Sequence, residues 1–261
     1  MKNLRGRTVL LTGASTGIGP HIATRLHHEG ASLVLSARHL DALERVALDL
    51  DPARVVVADL SRRDEVERLA DAAGEIDVLV ANAGIPASGE LVSFSVDQID
   101  RAIDVNLRSA MILANRLVPG MLARKSGHVV LIASMHSKMS AALVSVYNAT
   151  KFGLRGFGLA LRQELRGTGV GVSVINPTFV ADAGMWAETS TTTHPLAGLV
   201  RPAQVADAVV SAITGDRAEI DVAPLGPRLA TAMPSLVGRL ARRLGASDIP
   251  PAAVERQLVK R

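Results

Sequence analysis

Seven short apolar runs, separated by amphipathic stretches, limit what this 261-residue chain can fold into. Each run is about five residues long, is rich in valine, isoleucine and leucine, and does not alternate with polar residues, which is typical of parallel strands covered on both faces. The runs are Thr8–Thr12, Ser32–Leu35, Arg54–Ala58, Val78–Ala81, His128–Ile132, Gly171–Ile175 and Glu219–Val222. Because helical patterns lie between them, the order predicts an α/β fold with a doubly wound parallel sheet of about seven strands and helices on both faces.

The segments between the runs carry helical patterns. A long helix is predicted from Ser95, whose spacing to Gln98 indicates a capping box, to about Arg124, and Pro119 is expected to bend or break it near its end. A second long helix is predicted from about Val144 to Arg166. Shorter helices are predicted at Ile18–Glu29, Leu40–Leu50 and Asp64–Ala73.

Composition and charge restrict the class of protein. With 48% hydrophobic but only 2% aromatic residues, the core must be built from small and aliphatic side chains. The absence of cysteine excludes disulfides and thiolate metal sites, so no metal is expected, and it suits a reducing cytoplasm, the predicted location. Net charge is +4, but the basic residues are scattered and lack aromatic partners, which argues against nucleic-acid binding.

A glycine-rich turn joins the first strand to the first helix. Its glycines follow a G-x-x-x-G-x-G spacing, which permits a tight turn and a close backbone approach, and the helix N-terminus that follows attracts a pyrophosphate. At the end of a first strand, such a turn is better explained by dinucleotide binding than by a connection without a ligand. Together with the strand pattern, it predicts a single-domain Rossmann-type fold. The residues of the turn expected to contact a dinucleotide are Gly13, Ser15, Thr16, Gly17, Ile18 and Gly19.

The second strand ends near Ser36, and Arg38 follows where an NAD site would carry an acidic residue for the ribose hydroxyls. An arginine at this place can bind a 2′-phosphate, so NADP(H) is predicted in preference to NAD(H). Two alternatives remain: a solvated Arg38, and an NAD site in which His39 or Asp41 replaces the missing acid.

The only tyrosine, Tyr147, lies one helical turn before Lys151, so both side chains project from the same helix face. An ammonium there would favour the ionised phenol, and we therefore expect Lys151 to lower the pKa of Tyr147 toward the range useful for acid and base chemistry. Alone, such a pair is more often an ordinary feature of a helix. The remaining motifs decide between these interpretations.

Taken in order, the motifs over residues 6–223 resemble those of the short-chain dehydrogenase/reductase family. The glycine turn matches that family, as do two further motifs expected to contact the cofactor, Asp59-Leu60 and Asn82-Ala83-Gly84. Asn106, Ser134, Tyr147 and Lys151 match its catalytic tetrad. Singly, Asn106 could be a helix surface residue and Asp59 a helix cap, but their joint order favours the resemblance.

The resemblance implies a role for each residue of the tetrad. Tyr147 would exchange a proton with the substrate oxygen, Ser134 would polarise that oxygen, Lys151 would bind the nicotinamide ribose, and Asn106 would support a water-linked proton relay. The implied function is NADP(H)-dependent interconversion of an alcohol and a ketone or aldehyde. Tyr147 and Lys151 would also contact the cofactor.

The segment after the sixth strand departs from the family pattern. Pro177, Thr178 and Val180 are expected to contact the cofactor, but Thr178 stands where the family usually has glycine, and Ala183 where it commonly has threonine. The resemblance implies that residues 178–200 form a lid on the substrate. Methionines and the only tryptophan near the cleft favour an apolar or bulky small-molecule substrate, although Trp186 could equally pack the lid and His136 could be a structural or solvated histidine.

Residues 1–226 are therefore assigned to one dinucleotide-binding catalytic domain and residues 227–261 to a C-terminal helical tail. A short amphipathic helix at residues 234–244 could touch an anionic membrane, but packing on protein is favoured. The resemblance implies a homodimer or homotetramer formed through the two long helices. The rival functions are an NAD-dependent alcohol dehydrogenase of the same family and a non-catalytic NADP(H)-binding sensor or scaffold.

Overall fold

The computed structural model describes residues 1–187 and 198–232, and within them seven strands form one parallel sheet. Together with a separate pair, the described residues contain nine strands: β1 Thr8–Thr12, β2 Ser32–Ala37, β3 Ala53–Val57, β4 Val78–Ala81, β5 Gly127–Ile132, β6 Val170–Pro177, β7 Phe179–Val180, β8 Leu199–Val200 and β9 Glu219–Val222. The sheet has the order β3-β2-β1-β4-β5-β6-β9, and β7 pairs with β8 alone. The prediction of a Rossmann-type α/β fold with a seven-stranded parallel sheet is confirmed.

Helices cover the sheet on both faces. They are α1 Gly19–His28, α2 Leu40–Ala47, α3 Arg63–Ala73, α4 Val96–Ile103, α5 Ser109–Ala123, α6 Ser145–Glu164, α7 Gly184–Ala187, α8 Pro202–Gly215 and α9 Leu225–Ala232. One core packs α1, α2 and α8 against the sheet, through residues such as Ile22, Leu43 and Val209. The other packs α3, α5 and α6, through residues such as Leu69 and Leu113. The central strands β1 and β4 therefore pack apolar side chains on both faces of the sheet.

The long helix predicted from Ser95 differs from the expectation in its middle. The capping box of Ser95 and Gln98 is present, and α4 and α5 are joined by a π-helical turn, Asp104–Arg108, which the sequence did not predict. Pro119 does not break the helix, because α5 continues to Ala123. The proline costs backbone hydrogen bonding only near the helix end, where little helix follows it.

The end of the described chain covers only part of the predicted tail. Helix α9 begins at Leu225 and crosses position 226, while residues 188–197 of the lid and the helix predicted at 234–244 lie outside the described residues. In the described part of the chain, no helix is long and apolar enough to span a bilayer. The strand order reverses between β1 and β4, and in sheets of this kind ligands bind at such a reversal, beyond the carboxyl ends of the strands.

Candidate active site

The glycine turn between β1 and α1 leaves little room for side chains. Gly13 has a φ of 63°, and a Cβ built there would lie 2.8 Å from the Cα of Ala83. A Cβ on Gly19 would collide with the carbonyl oxygen of Gly13. Helix α1 begins after Ile18, and its first turn carries no acidic residue and, among the described residues, no side-chain cap. Gly19 N–H donates to the Thr16 carbonyl oxygen at 3.1 Å and Pro20 has no N–H, so an anion such as a pyrophosphate would be bound by the other N–H groups of the turn and by the positive end of the helix dipole.

The turn after β4 is fastened to the end of β1. The Thr12 hydroxyl oxygen accepts hydrogen bonds from the backbone N–H groups of Asn82 (3.1 Å) and Ala83 (3.2 Å). The Asn82 side-chain amide donates to the carbonyl oxygens of Thr12 (3.0 Å) and Gly13 (3.1 Å). Asn82 thus shapes the glycine turn through its side chain. The sequence analysis missed Thr12, although a hydroxyl placed directly before a glycine turn was the available signal.

The end of β2 lies beside the glycine turn, because Ala14 N–H donates to the carbonyl oxygen of Ser36 at 3.1 Å. Arg38 follows this strand and is exposed. Burial alone would raise the pKa of Asp59, but two hydrogen bonds from Ser61 and the charges of Arg38 and Arg101 hold it below its usual range. Arg38 and Asp59 therefore lie at one end of the crevice that the glycine turn lines, beyond the carboxyl ends of the strands. Leu60, predicted with Asp59 to contact the cofactor, is buried in the core.

The crevice fits a dinucleotide. It combines a turn that a Cβ would fill with an uncapped helix start and an exposed guanidinium. In addition, the buried Ser36 hydroxyl and Asn82 side-chain oxygen have no hydrogen-bond partner within the described residues, and a bound molecule with hydroxyl groups could supply one. No cluster of three histidine or acidic residues that could hold a metal ion occurs in residues 1–187 and 198–232.

Asn106 lies in the π-helical turn and is buried, so its interpretation as a surface residue is wrong. Its side-chain oxygen accepts a hydrogen bond from Ile85 N–H at 2.7 Å. Its amide donates to the Ile85 carbonyl oxygen at 3.0 Å and to the Thr150 hydroxyl at 3.4 Å. Asn106 therefore connects the segment after β4 to helix α6, which carries Tyr147.

Ser134 and Tyr147 meet at the ends of β5 and α6. Ser134 follows β5 and is buried, and its hydroxyl accepts a hydrogen bond from the backbone N–H of His136 at 3.1 Å. The same hydroxyl lies 3.5 Å from the carbonyl oxygen of Pro177 and is hydrogen-bonded to Tyr147. Two hydroxyl groups from different elements are thus brought together at the edge of the sheet where the glycine turn lies.

Lys151 lies one helical turn after Tyr147 and is buried. Its ammonium nitrogen donates to the Ile132 carbonyl oxygen at 2.9 Å and is 5.7 Å from the centroid of the Tyr147 ring. Burial lowers the pKa of Lys151 to about 8. Burial also raises the pKa of Tyr147 to about 12, although the hydrogen bond from Ser134 opposes this. For the protein groups alone, burial therefore outweighs the expected lowering by Lys151, and the net shift of the Tyr147 pKa is upward.

Gly84 marks the point where these residues converge. A Cβ built on Gly84 would lie 3.3 Å from the Asn106 side-chain oxygen, 3.6 Å from the Lys151 ammonium nitrogen and 3.4 Å from the methyl carbon of Met185. Met185 belongs to the lid, and it is one of the methionines predicted to lie near the substrate cleft. The structure places its methyl group beside Gly84 and Lys151, on the side expected to hold the cofactor.

The chain after β6 begins the lid. Pro177 ends β6 and is buried, and Thr178 N–H donates to the Val222 carbonyl oxygen at 3.0 Å. Val180 lies in β7, which pairs with β8 across the base of the lid. The lid then passes over the glycine turn, because a Cβ on Gly17 would lie 3.1 Å from the Cα of Gly184. The side chain of Trp186 lies outside what the structure describes.

A charged network supports the loop that carries Ser134. The Lys138 ammonium group donates to both carboxylate oxygens of Asp221, at 2.7 and 2.8 Å, and lies 3.2 Å from Glu219. The Asn176 amide donates to both carboxylates, at 2.7 and 2.9 Å, and its oxygen accepts from Ser137 at 2.9 Å. The sequence analysis did not find this network, because its residues are far apart along the chain.

Comparison with known proteins agrees with this geometry. A family model described as short chain dehydrogenase matches residues 7–194. Ketoacyl reductase HetN of a Nostoc species is 36% identical in a match that covers 99% of this chain and 96% of the relative. An SDR family protein 7-like dehydrogenase/reductase of Anopheles gambiae is 32% identical, over 88% of this chain and 78% of the relative.

Solved structures that resemble this chain also belong to short-chain dehydrogenases and reductases. An actinorhodin polyketide ketoreductase variant with NADPH is 28% identical, with a TM-score of 0.78 and coverage of 87% of this chain and 98% of that one. A metagenomic short-chain oxidoreductase in complex with NADP is 32% identical, with a TM-score of 0.72 and coverage of 84% and 97%. This chain belongs to the short-chain dehydrogenase/reductase family.

Proposed function

We propose that this protein is an NADP(H)-dependent oxidoreductase that interconverts a carbonyl and an alcohol, with Tyr147 as general acid and base. The observation that carries the proposal is the convergence of Asn106 and Lys151 on Gly84, in the same crevice as the glycine turn. Ser134 and Tyr147 are hydrogen-bonded to each other beside them. A sensor or scaffold would not need this group of side chains in one place.

The chemistry divides between the cofactor and the protein. The nicotinamide supplies the hydride, which no protein side chain can provide. Reduction of a carbonyl builds negative charge on its oxygen, and the Ser134 hydroxyl stabilises that charge while Tyr147 donates the proton. With its pKa raised to about 12, the Tyr147 phenol is protonated at neutral pH, which is the state that carbonyl reduction requires of a proton donor.

NADP(H) is the proposed cofactor. Arg38 follows β2 directly and its charge acts on Asp59, and this position supports pairing of its guanidinium with a 2′-phosphate. The glycine turn and the start of α1 would hold the pyrophosphate, and Lys151 the nicotinamide ribose. Relatives of known structure that carry NADP or NADPH support the same choice.

The proposed substrate is an apolar or bulky ketone. Met135 and Met139 lie near the Ser134 loop, and Phe179 follows β6 at the base of the lid. One relative is a ketoacyl reductase and another a polyketide ketoreductase, which supports an acyl chain bearing a ketone as the substrate class.

A homodimer or homotetramer is the proposed assembly, with a cytoplasmic location. Large apolar side chains are exposed around the two long helices: Leu91, Val92, Val96, Met111 and Phe152. Val92 is 90% exposed, which a monomer would leave in water. Replacing Leu91 and Val92 together by glutamate should lower the mass measured by sedimentation to that of a monomer; an unchanged mass would contradict an interface at this site.

The experiment that tests the cofactor assignment is equilibrium binding of NADPH and NADH to the wild type and to Arg38→Asp. We expect the wild type to prefer NADPH, and the variant to lose at least about tenfold in NADPH affinity, because a charge-assisted hydrogen bond is lost and a like charge is introduced. Preference of the wild type for NADH would favour the alcohol dehydrogenase alternative. Binding of neither would overturn the cofactor site.

A further inference from the structure

His136 lies between the tyrosine of the tetrad and the base of the lid. Its ring centroid is 6.1 Å from that of Tyr147 at an interplanar angle of 79°, and 6.0 Å from that of Phe179 at 76°. The imidazole thus meets both rings edge-on. Because its backbone N–H donates to the Ser134 hydroxyl, His136 is also fixed directly beside the oxygen that would polarise the substrate.

Both ring nitrogens of His136 are open to a ligand. Throughout residues 1–187 and 198–232, neither has a hydrogen-bond partner, and neither is among the buried polar atoms left without one, so both reach an accessible surface. The ring is held by its neighbours and not by its own nitrogens. A polar group that is positioned but unpaired beside reacting atoms is suited to bind substrate.

The surroundings keep this imidazole neutral. Although His136 is only half-buried by surface area, protein atoms crowd its ring, and this burial lowers its pKa to about 4. At neutral pH it therefore carries one N–H donor and no charge. The backbone of His136 is held in place by the Asn148 amide, which donates to the carbonyl oxygen of His136 at 3.0 Å.

The hydrogen-bond donors of other polar side chains in or beside this loop already have partners. Asn148 also donates to the Met139 carbonyl oxygen at 2.8 Å, Ser137 donates to Asn176, and Lys138 is paired with Asp221. Among these residues, His136 is the one whose donor is free for a substrate. A donor at this position can form a hydrogen bond with a second acceptor of the substrate, close to the reacting carbonyl.

We propose that His136 is a specificity-determining residue whose imidazole N–H binds a second carbonyl oxygen of the substrate, separated from the reacting ketone by a single methylene group. The substrate class is therefore a 3-oxoacyl ester or thioester. This inference rests on the proposed carbonyl reduction. The first carbonyl would lie at Ser134 and Tyr147, and the second would reach His136, whose ring centroid is 6.1 Å from that of Tyr147.

The test compares two substrates of matched length, ethyl 3-oxohexanoate and 4-nonanone, in NADPH-dependent reduction. The wild type is compared with His136→Phe, which keeps an aromatic ring but loses the N–H, and with His136→Gln, which keeps a donor. Because the ester makes its neighbouring ketone intrinsically more reactive, the informative quantity is the change in the ratio of the two kcat/KM values on substitution. NADPH affinity is measured for each variant as a folding and cofactor-binding control.

His136→Phe should lower kcat/KM for ethyl 3-oxohexanoate about tenfold or more while 4-nonanone changes by less than about threefold, and His136→Gln should recover part of the loss. An equal loss on both substrates would show that His136 acts only in packing. An unchanged value for the oxoester would also overturn the inference, with carbonyl reduction intact. Reduction of neither substrate by wild-type protein that binds NADPH would overturn the proposed function as well.

Discussion

Two ionisable side chains at the tetrad have pKa values far from their ordinary ones, and burial is the first cause for both. The Tyr147 pKa rises to about 12 and that of Lys151 falls to about 8, so at pH 7 the pair is a neutral phenol beside an ammonium ion. That pairing suits proton donation to a developing alkoxide, with the charge of Lys151 stabilising the phenolate left behind. A change in either pKa would therefore change the pH range over which Tyr147 can donate its proton.

The lowered pKa of Lys151 predicts how the rate of carbonyl reduction depends on pH. We expect kcat/KM for carbonyl reduction to be flat between about pH 6 and 7 and to decline above about pH 8, because the neutral amine no longer stabilises the Tyr147 phenolate. Initial rates over pH 6 to 10 measure it. In Lys151→Arg, where the guanidinium stays charged, any remaining activity should lack this decline. A wild-type rate that rises through pH 8 would contradict the assignment.

His128 predicts a stability change far from the site. Ser173 gives its proton to the Arg217 carbonyl oxygen, so His128 donates to Ser173 through Nε2, and its buried Nδ1 has no partner in the described structure. Burial lowers its pKa from 6.5 to about 4, so the unfolded chain binds the extra proton first as pH falls. Stability should therefore be lost between about pH 6.5 and 4, by about 3 kcal/mol in total.

Denaturant unfolding of the wild type and of His128→Gln between pH 4 and 7 measures this loss. Glutamine can still donate to Ser173 but does not titrate, and groups that titrate elsewhere are common to both proteins. The difference in unfolding free energy should therefore change with pH in the stated direction. Parallel pH profiles for the two proteins would mean that His128 does not carry the effect.

The elements of the site depend on one another through the glycine turn. Strand β4 approaches β1 so closely that Thr12, Gly13 and the Asn82-Ala83 backbone are in direct contact. The turn therefore holds its shape through its neighbour as well as through its own glycines. A side chain at Gly13 would push the two turns apart and displace Gly84, on which Asn106 and Lys151 converge.

Gly13→Ala and Gly6→Ala separate this contact from backbone strain. Both glycines have positive φ, 63° and 69°, but a Cβ on Gly6 meets nothing within 4 Å. Both variants should lose about 1 kcal/mol of stability from the left-handed backbone. Only Gly13→Ala should also weaken NADPH binding, by at least about tenfold, because its Cβ meets the Ala83 backbone. Equal NADPH affinity in the two variants would contradict the role of the turn.

Sequence patterns predicted the strands and the glycine turn better than the helix junction at Asn106 and the contacts between elements. Apolar runs and glycine spacing predicted the strands and the turn because these depend on local periodicity and backbone freedom. The π-helical turn at Asn106 was not predicted, since an extra residue in one turn leaves the helical pattern almost unchanged. Nor could spacing show how closely protein atoms surround Tyr147, and this burial raises its pKa, against the expected lowering.

At the scale of the whole molecule, the doubly wound strand order explains where the candidate active site lies. Strands β1, β4, β5 and β6 are adjacent, so the residues that follow them collect at one edge of the sheet. That edge could be predicted from the sequence, because parallel strands joined by helices end on the same side. The network of Lys138, Asn176 and Asp221 could not, because it requires the place of β9 beside β6.

The most direct test of the proposed carbonyl reduction is NADPH consumption with ethyl 3-oxohexanoate by the wild type and by Tyr147→Phe, with NADPH affinity measured for both. Removing only the phenolic hydroxyl should lower kcat by about 10²- to 10⁴-fold, the contribution expected of a general acid, while the dissociation constant for NADPH changes by less than about threefold. Equal turnover by the two proteins would contradict the role of Tyr147 and, with it, the proposed mechanism.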